Sequence, residues 1–244
     1  MQLMRNRQCP IRVVLAASLV LVSVTGCNTS KYSTLHDERL QQLSTIELVP
    51  LNVQVFTIHT GGMLENRPDI QKEVVERLMQ NVKEIVTMRG FEAGLTDSLI
   101  IPDRRSEQYS QAAALAGAVG EAIRIHHYQF GKQRTIDYAI GDAVSSLSKN
   151  RGDAVLFVSL QAAVPTAGRV GLAVTAFVVS LVGANIHVST NEAIIVLALV
   201  DRRTGEVLWY NHRLSKTDVE SDRALRSLVK KSCAYLLKPR KRKR

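Results

Sequence analysis

The sequence predicts a single α/β domain: a mixed β-sheet flanked by helices, with a C-terminal β-hairpin and helix and one apolar insertion. Three observations predict it. Ala154, Val155, Leu156, Phe157 and Val158 form an unbroken apolar run of the kind found in a strand covered on both faces. Behind Pro68, which suits a first helical turn, Ile70, Val74, Leu78, Val82 and Ile85 recur at near-four spacing. Two strand-like runs, residues 193–200 and 206–210, are joined by Asp201-Arg202-Arg203-Thr204-Gly205, where glycine can take the positive φ of a short hairpin.

The elements follow in order. Residues 1–12 carry Arg5, Arg7 and Arg12 with no acidic residue, and residues 13–24 carry no charge. This is the build of a secretory signal peptide, and it is shorter than the roughly 20 apolar residues of a spanning helix. Ending in Val24-Thr25-Gly26-Cys27, the junction resembles the lipobox of bacterial lipoproteins. That resemblance implies cleavage before Cys27, a diacylglyceryl thioether on its sulfur and acylation of the new amino terminus. Residues 1–26 are thus expected to be removed. Asn28 stands where an aspartate would retain such a protein in the inner membrane, which implies the outer membrane. Residues 27–44 are polar, without sustained apolar periodicity, and read as a lipidated tether reaching at most about 60 Å.

The domain is expected over 45–237. Residues 52–59 mix Val53, Val55, Phe56 and Ile58 with polar neighbours after Pro50, as a first strand. The helix from Pro68 ends at Gly90, and 91–95 is short enough for a strand. A loop with Pro102, Arg104 and Arg105 leads to a helix over 106–130 rich in small residues: Ala112, Ala113, Ala114, Ala116, Gly117, Ala118 and Gly120. A small stripe permits close approach, either inside the domain or between subunits. A further helix is expected after Gly131, with Ile136, Ile140, Val144 and Leu147 on one face. Strands at 153–164 and 193–200, the hairpin, and a last helix over 218–237 stopped by Pro239 complete the series.

This order is similar to the amino-terminal domain of the TolB type, shared by curli-secretion-channel lipoproteins and penicillin-binding-protein-activator lipoproteins. The resemblance rests on Gly152-Asp153-Ala154-Val155-Leu156-Phe157-Val158 and on Leu199-Val200-Asp201-Arg202-Arg203-Thr204-Gly205-Glu206-Val207-Leu208-Trp209, and covers about residues 50–237. It implies an envelope accessory role or, by the curli likeness, a subunit of a secretion channel.

The insertion at 165–190 is the least ordinary segment. Between Gln161 and Glu192 the only full charge is Arg169. A helix over 170–184 would extend about 22 Å, short of a hydrocarbon core of about 30 Å. Leu172 to Val179, including Phe177 and Val178, runs without the alternation of a membrane barrel strand. Two readings stand. The insertion packs within the domain, or Arg169, Leu172, Phe177, Val178 and Leu181 form a subunit or membrane contact.

The net charge of +10 is unevenly placed: three charges lie in 1–26, six in 238–244, and 27–237 carries +1. A nearly neutral body argues against a nucleic-acid partner. In an envelope, Lys238, Arg240, Lys241, Arg242, Lys243 and Arg244 would meet lipid phosphates or anionic polymers. Of the cysteines, Cys9 leaves with the leader, Cys27 takes lipid, and Cys233 lies on an apolar helix face as an inert thiol.

The sequence contains no His-Glu-x-x-His pair, Gly-x-Ser-x-Gly elbow, phosphate loop or paired-cysteine zinc spacing. His126 and His127 are adjacent and point about 100° apart on a helix, while Glu121, Asp137 and Asp142 are scattered. The expectation is a non-enzymatic lipoprotein of the outer membrane, facing the periplasm, with no cofactor beyond the lipid on Cys27. Its expected partners are the membrane, an envelope protein or anionic polymer, and a further copy of itself. A channel subunit is the alternative, and an envelope hydrolase a third.

Overall fold

The computed structural model describes residues 30–59, 63–95, 107–130, 135–144, 152–165, 177–179, 184–186 and 191–236. Ten strands and four helices are named in chain order: β1 Lys31–Ser33, α1 His36–Leu40, β2 Thr45–Ile58, β3 Leu64–Asn66, α2 Pro68–Met88, β4 Glu92–Leu95, α3 Glu107–Phe130 and β5 Thr135–Ile136. β6 Ala154–Pro165, β7 Phe177–Val179, β8 Ala184–Ile186, β9 Glu192–Asp201, β10 Val207–Lys216 and α4 Asp222–Ser232 follow. The main sheet runs β3-β2-β6-β9-β10-β1-β5, with β4 also pairing β2. β2 is parallel to β6 and β4, β1 is parallel to β5, and the other pairs are antiparallel. The fold is the expected mixed α/β domain.

The apolar run in β6 explains the layers. Leu156, Val158 and Leu160 enter one core with Val74, Leu78, Met79 and Val82 of α2 and Leu225, Leu228 and Val229 of α4. Val155 and Phe157 enter the other with Ile123 of α3, Ile136, Ile140 and Val144. Side chains of a strand alternate between faces, so a continuous apolar run requires cover on both.

Two bulges reverse that alternation. The register between β2 and β6 shifts between Pro50 and Asn52, so Ile46 and Leu48 share a core with Val53 and Val55 despite opposite parity. The strand expected to begin at Asn52 therefore begins at Thr45. In β10 the shift between Val207 and Trp209 sends Leu208 and Trp209 to one core, leaving Val207 and Tyr210 in the other.

Three sequence expectations need correction. Residues 31–40 of the tether expected over 27–44 belong to the fold: β1 pairs β10 and β5, and Lys31, Ser33, His36 and Leu40 are buried. Polar residues are buried here because backbone pairing on both edges places this strand within the sheet. The helix expected after Gly131 is instead β5 followed by a turn at Gly141, with φ 68°. Ile136, Ile140 and Val144 are all buried as their spacing suggested, but Ile140 N donates to Gly205 O at 2.7 Å and Val207 N to Tyr138 O at 2.8 Å. These bonds run across to the hairpin rather than along a helix; Leu147 lies outside the described residues. The last helix spans Asp222–Ser232, with β10 extending to Lys216.

One side of the small-residue run of α3 packs inside the domain, while Ala114, Gly117 and Ala118 are exposed. Ala113, Ala116 and Val119 are partly buried against the second core, and a Cβ on Gly120 would lie 3.6 Å from Tyr210 Cε2.

Gly205 has φ 70°, and a Cβ there would lie 2.4 Å from both the nitrogen and the carbonyl oxygen of Gly141. Neither backbone can yield without breaking the Ile140–Gly205 bond. Gly205→Ala should lower stability by at least about 2 kcal/mol, read as a lower urea midpoint, whereas an unchanged midpoint would contradict this packing.

Candidate functional site

Most residues expected to act lie outside the described part of the chain: Cys27, Arg169, Leu172, Leu181, Lys238, Arg240, Lys241, Arg242, Lys243 and Arg244. Phe177 and Val178 are in β7, which pairs antiparallel with β8 through Phe177↔Ile186 and Val178↔Asn185 in a sheet separate from the main one. Among the described residues, two polar assemblies stand out.

The first closes the hairpin end of the sheet. Asp201 Oδ1 accepts from Arg203 N at 2.8 Å and Thr204 N at 3.1 Å, while Oδ2 lies 3.5 Å from Arg39 Nε. Arg202 donates through its backbone N to Asp153 O at 3.1 Å, and its guanidinium lies 3.4 Å from Glu47. Glu47 is 1% exposed, and Arg202 supplies the charge that such burial demands. Glu206 accepts from the Ser33 hydroxyl. One oxygen of Asp153 accepts from both N and Oγ of Ser44 and from both N and Oγ1 of Thr45, at 2.7 to 3.1 Å.

Those donors, led by the backbone and hydroxyl of Ser44, hold the Asp153 carboxyl at about 2, below its ordinary 3.8. Its stabilising effect is whole above the ordinary value and disappears as pH falls toward 2. Carboxylates engaged in this way fix strand ends. No group of three or more His, Cys, Asp and Glu residues able to hold a metal occurs among the described residues.

The second assembly lies where β1 meets the turn after α4. Tyr32 Oη donates to Tyr235 O at 3.4 Å, and its ring lies edge-on to His36 with centroids 4.8 Å apart. Asn211 Nδ2 donates to Ser232 O at 2.6 Å. The Arg89 guanidinium, just beyond α2, donates to Leu236 O, to Cys233 O at 3.0 Å and to Ala234 O at 3.2 Å. Carbonyls at a helix end lack partners within the helix, and Arg89 supplies a cation suited to them. Burial lowers its pKa. Burial also pushes the Cys233 thiol up to about 12, so it is protonated at neutral pH.

Sequence reasoning passed over this corner. Arg89 and Tyr32 sit in segments read as a helix end and a tether, and the contacts that join them to residues 233–236 are all long-range in the chain. Arg89→Ala should destabilise the domain by about 1–2 kcal/mol by leaving part-buried carbonyls without a donor. Asp153→Asn should cost about 1 kcal/mol at neutral pH and flatten the loss of stability between pH 4 and 2. Urea titrations across that range check both; an unaltered acid limb in the Asp153 variant would exclude this carboxylate as its source.

No family model matches the chain, and no curated protein matches it. Among solved structures, a point variant of the PelC dodecamer from Paraburkholderia phytofirmans, in space group C2, is 11% identical, covering 87% of this chain and 99% of that one with a TM-score of 0.34. A PelC dodecamer from the same organism in space group P6 is 13% identical, covering 89% and 100%, also with a TM-score of 0.34. Likeness at this level carries neither fold nor function across to this chain.

Proposed function

We propose that this chain is a non-enzymatic lipoprotein of the outer membrane, facing the periplasm, that binds another envelope component and helps assemble or regulate it. The observation that carries the reading is Val24-Thr25-Gly26-Cys27 behind an arginine-bearing and then apolar leader. Its physical sense is chain counting. Each buried methylene contributes about 0.8 kcal/mol, so one acyl chain holds reversibly and two or three hold for good. Lys31 is already within the main sheet, so only about 14 Å of extended chain separates Cys27 from it. A domain held that closely meets its partners at the leaflet surface, whether envelope protein or anionic polymer.

Cys27→Ala should shift the protein to the soluble fraction and abolish palmitate labelling; a variant that stays membrane-bound and unshifted in mass overturns the proposal.

One observation favours a second reading, an oligomeric secretion-channel subunit: the insertion contains the antiparallel pair β7–β8. Rings in single-particle images of detergent-extracted protein, lost in a folded Val178→Asp variant, are its expected outcome. Monomers, or rings unaffected by Val178→Asp, count against it.

A further inference from the structure

We infer that the joint C-terminal end of α2 and α4, where Met88 and Tyr235 stand exposed near Lys230 and Lys231, is the face that the domain sets against the anionic headgroups of its leaflet. The inference rests on the lipoprotein reading, which supplies the leaflet, and adds to it a surface and an orientation.

Three links show that the two helices lie side by side and run the same way. Arg77 Nη1 donates to Asp222 Oδ1 at 2.7 Å, Arg226 donates to Glu84, and Arg89 Nη2 donates to Cys233 O at 3.0 Å. Parallel packing sorts their charges. Asp69, Glu73, Glu76, Glu220 and Asp222 all fall toward the starting end. Beyond the Arg226–Glu84 pair the acidic residues stop, since none occurs at 85–91 or at 223–244. Lys230 follows Arg226 by four residues and Met88 follows Glu84 by four, so the next turn of each helix carries one of them.

Exposure completes the surface. Met88 is 70% exposed and Tyr235 49%, and Lys230 and Lys231 are exposed in the last turn of α4. A lysine in a last turn also offsets the partial negative charge of a helix end. Here Arg89 already donates to the carbonyls of Cys233, Ala234 and Leu236, so that end is capped without the two ammonium groups.

An exposed thioether and phenol beside cations match the layered chemistry of a bilayer surface. The apolar parts of Met88 and Tyr235 suit the acyl boundary and the ammonium groups suit the phosphates, with the lysine stems covering the step between. The fold also begins at this end: Tyr32 in β1 donates to Tyr235 O, and Cys27 lies five residues before Tyr32, at most about 18 Å along an extended chain. Lipid is the anionic surface brought nearest, and the separation of charge along α2 and α4 turns their basic end toward it.

The test places a polarity-sensitive dye on the mature lipidated chain at Met88→Cys or, at the far end, at Asn66→Cys just before α2. Vesicles are phosphatidylcholine alone or mixed with phosphatidylglycerol. Dye at position 88 is expected to shift to the blue on the mixed vesicles and to return in high salt, while dye at position 66 stays unchanged. Equal emission at 88 on both vesicles, or a shift at 66 instead, overturns the inference. So does a shift at 88 seen in native membranes but in neither vesicle, which would assign the face to a protein. A second arm floats the mature Cys27→Ser chain with phosphatidylglycerol-containing vesicles. Lys230→Gln and Lys231→Gln should each lower partition about fivefold, with the thermal midpoint as folding control. Partition indifferent to both changes and to Tyr235→Ser overturns the inference. Cys27 found without lipid, together with partition that still follows Lys230 and Lys231, would sink the lipoprotein reading while leaving the headgroup face intact.

Discussion

Everything in this fold is arranged around the burial of β6. It pairs with β2 on one edge and β9 on the other, and Val155, Leu156, Phe157, Val158 and Leu160 are at most 2% exposed. Each such side chain contributes about 1.5–3 kcal/mol when removed from water. A strand apolar on both faces is stable only between two layers, so α2 and α4 on one side and α3 on the other are consequences of one run of residues. The bulges in β2 and β10 serve the same end: each inserts a residue so that both halves of a long strand feed the correct core.

Where the strands end, backbone groups lose their ladder partners and polar side chains take over. Asp153 collects the donors of Ser44 and Thr45, and Asp201 those of the hairpin turn. The approach of Gly205 to Gly141 lets residues 138–140 bond the hairpin from outside. These groups hold β2, β6, β9 and β10 in register. The carboxylates of Asp153 and Asp201 are engaged at strand ends.

The opposite design governs the corner of β1 and α4. Here a half-buried arginine, a tyrosine hydroxyl and an asparagine amide satisfy the carbonyls that a helix leaves open. The result brings residues 31–32 against residues 233–236, which are far apart in the chain.

The amino-acid pattern was sufficient for α2, α3, β6, β9 and the hairpin at Gly205, because each carries its own periodicity or its own turn residue, and these do not depend on distant partners. It was also sufficient to locate the concentration of charge. It misplaced β1, β5 and the start of β2. In β1 polar residues are buried by pairing to both neighbours; in β5 a four-residue apolar spacing mimics a helix; in β2 a bulge at Pro50 interrupts alternation. The corner joining Tyr32, Arg89 and Tyr235 had no signature at all. Contacts between segments separated by more than a hundred residues have no local period, and they exist only once β6 has drawn both helical layers onto the sheet.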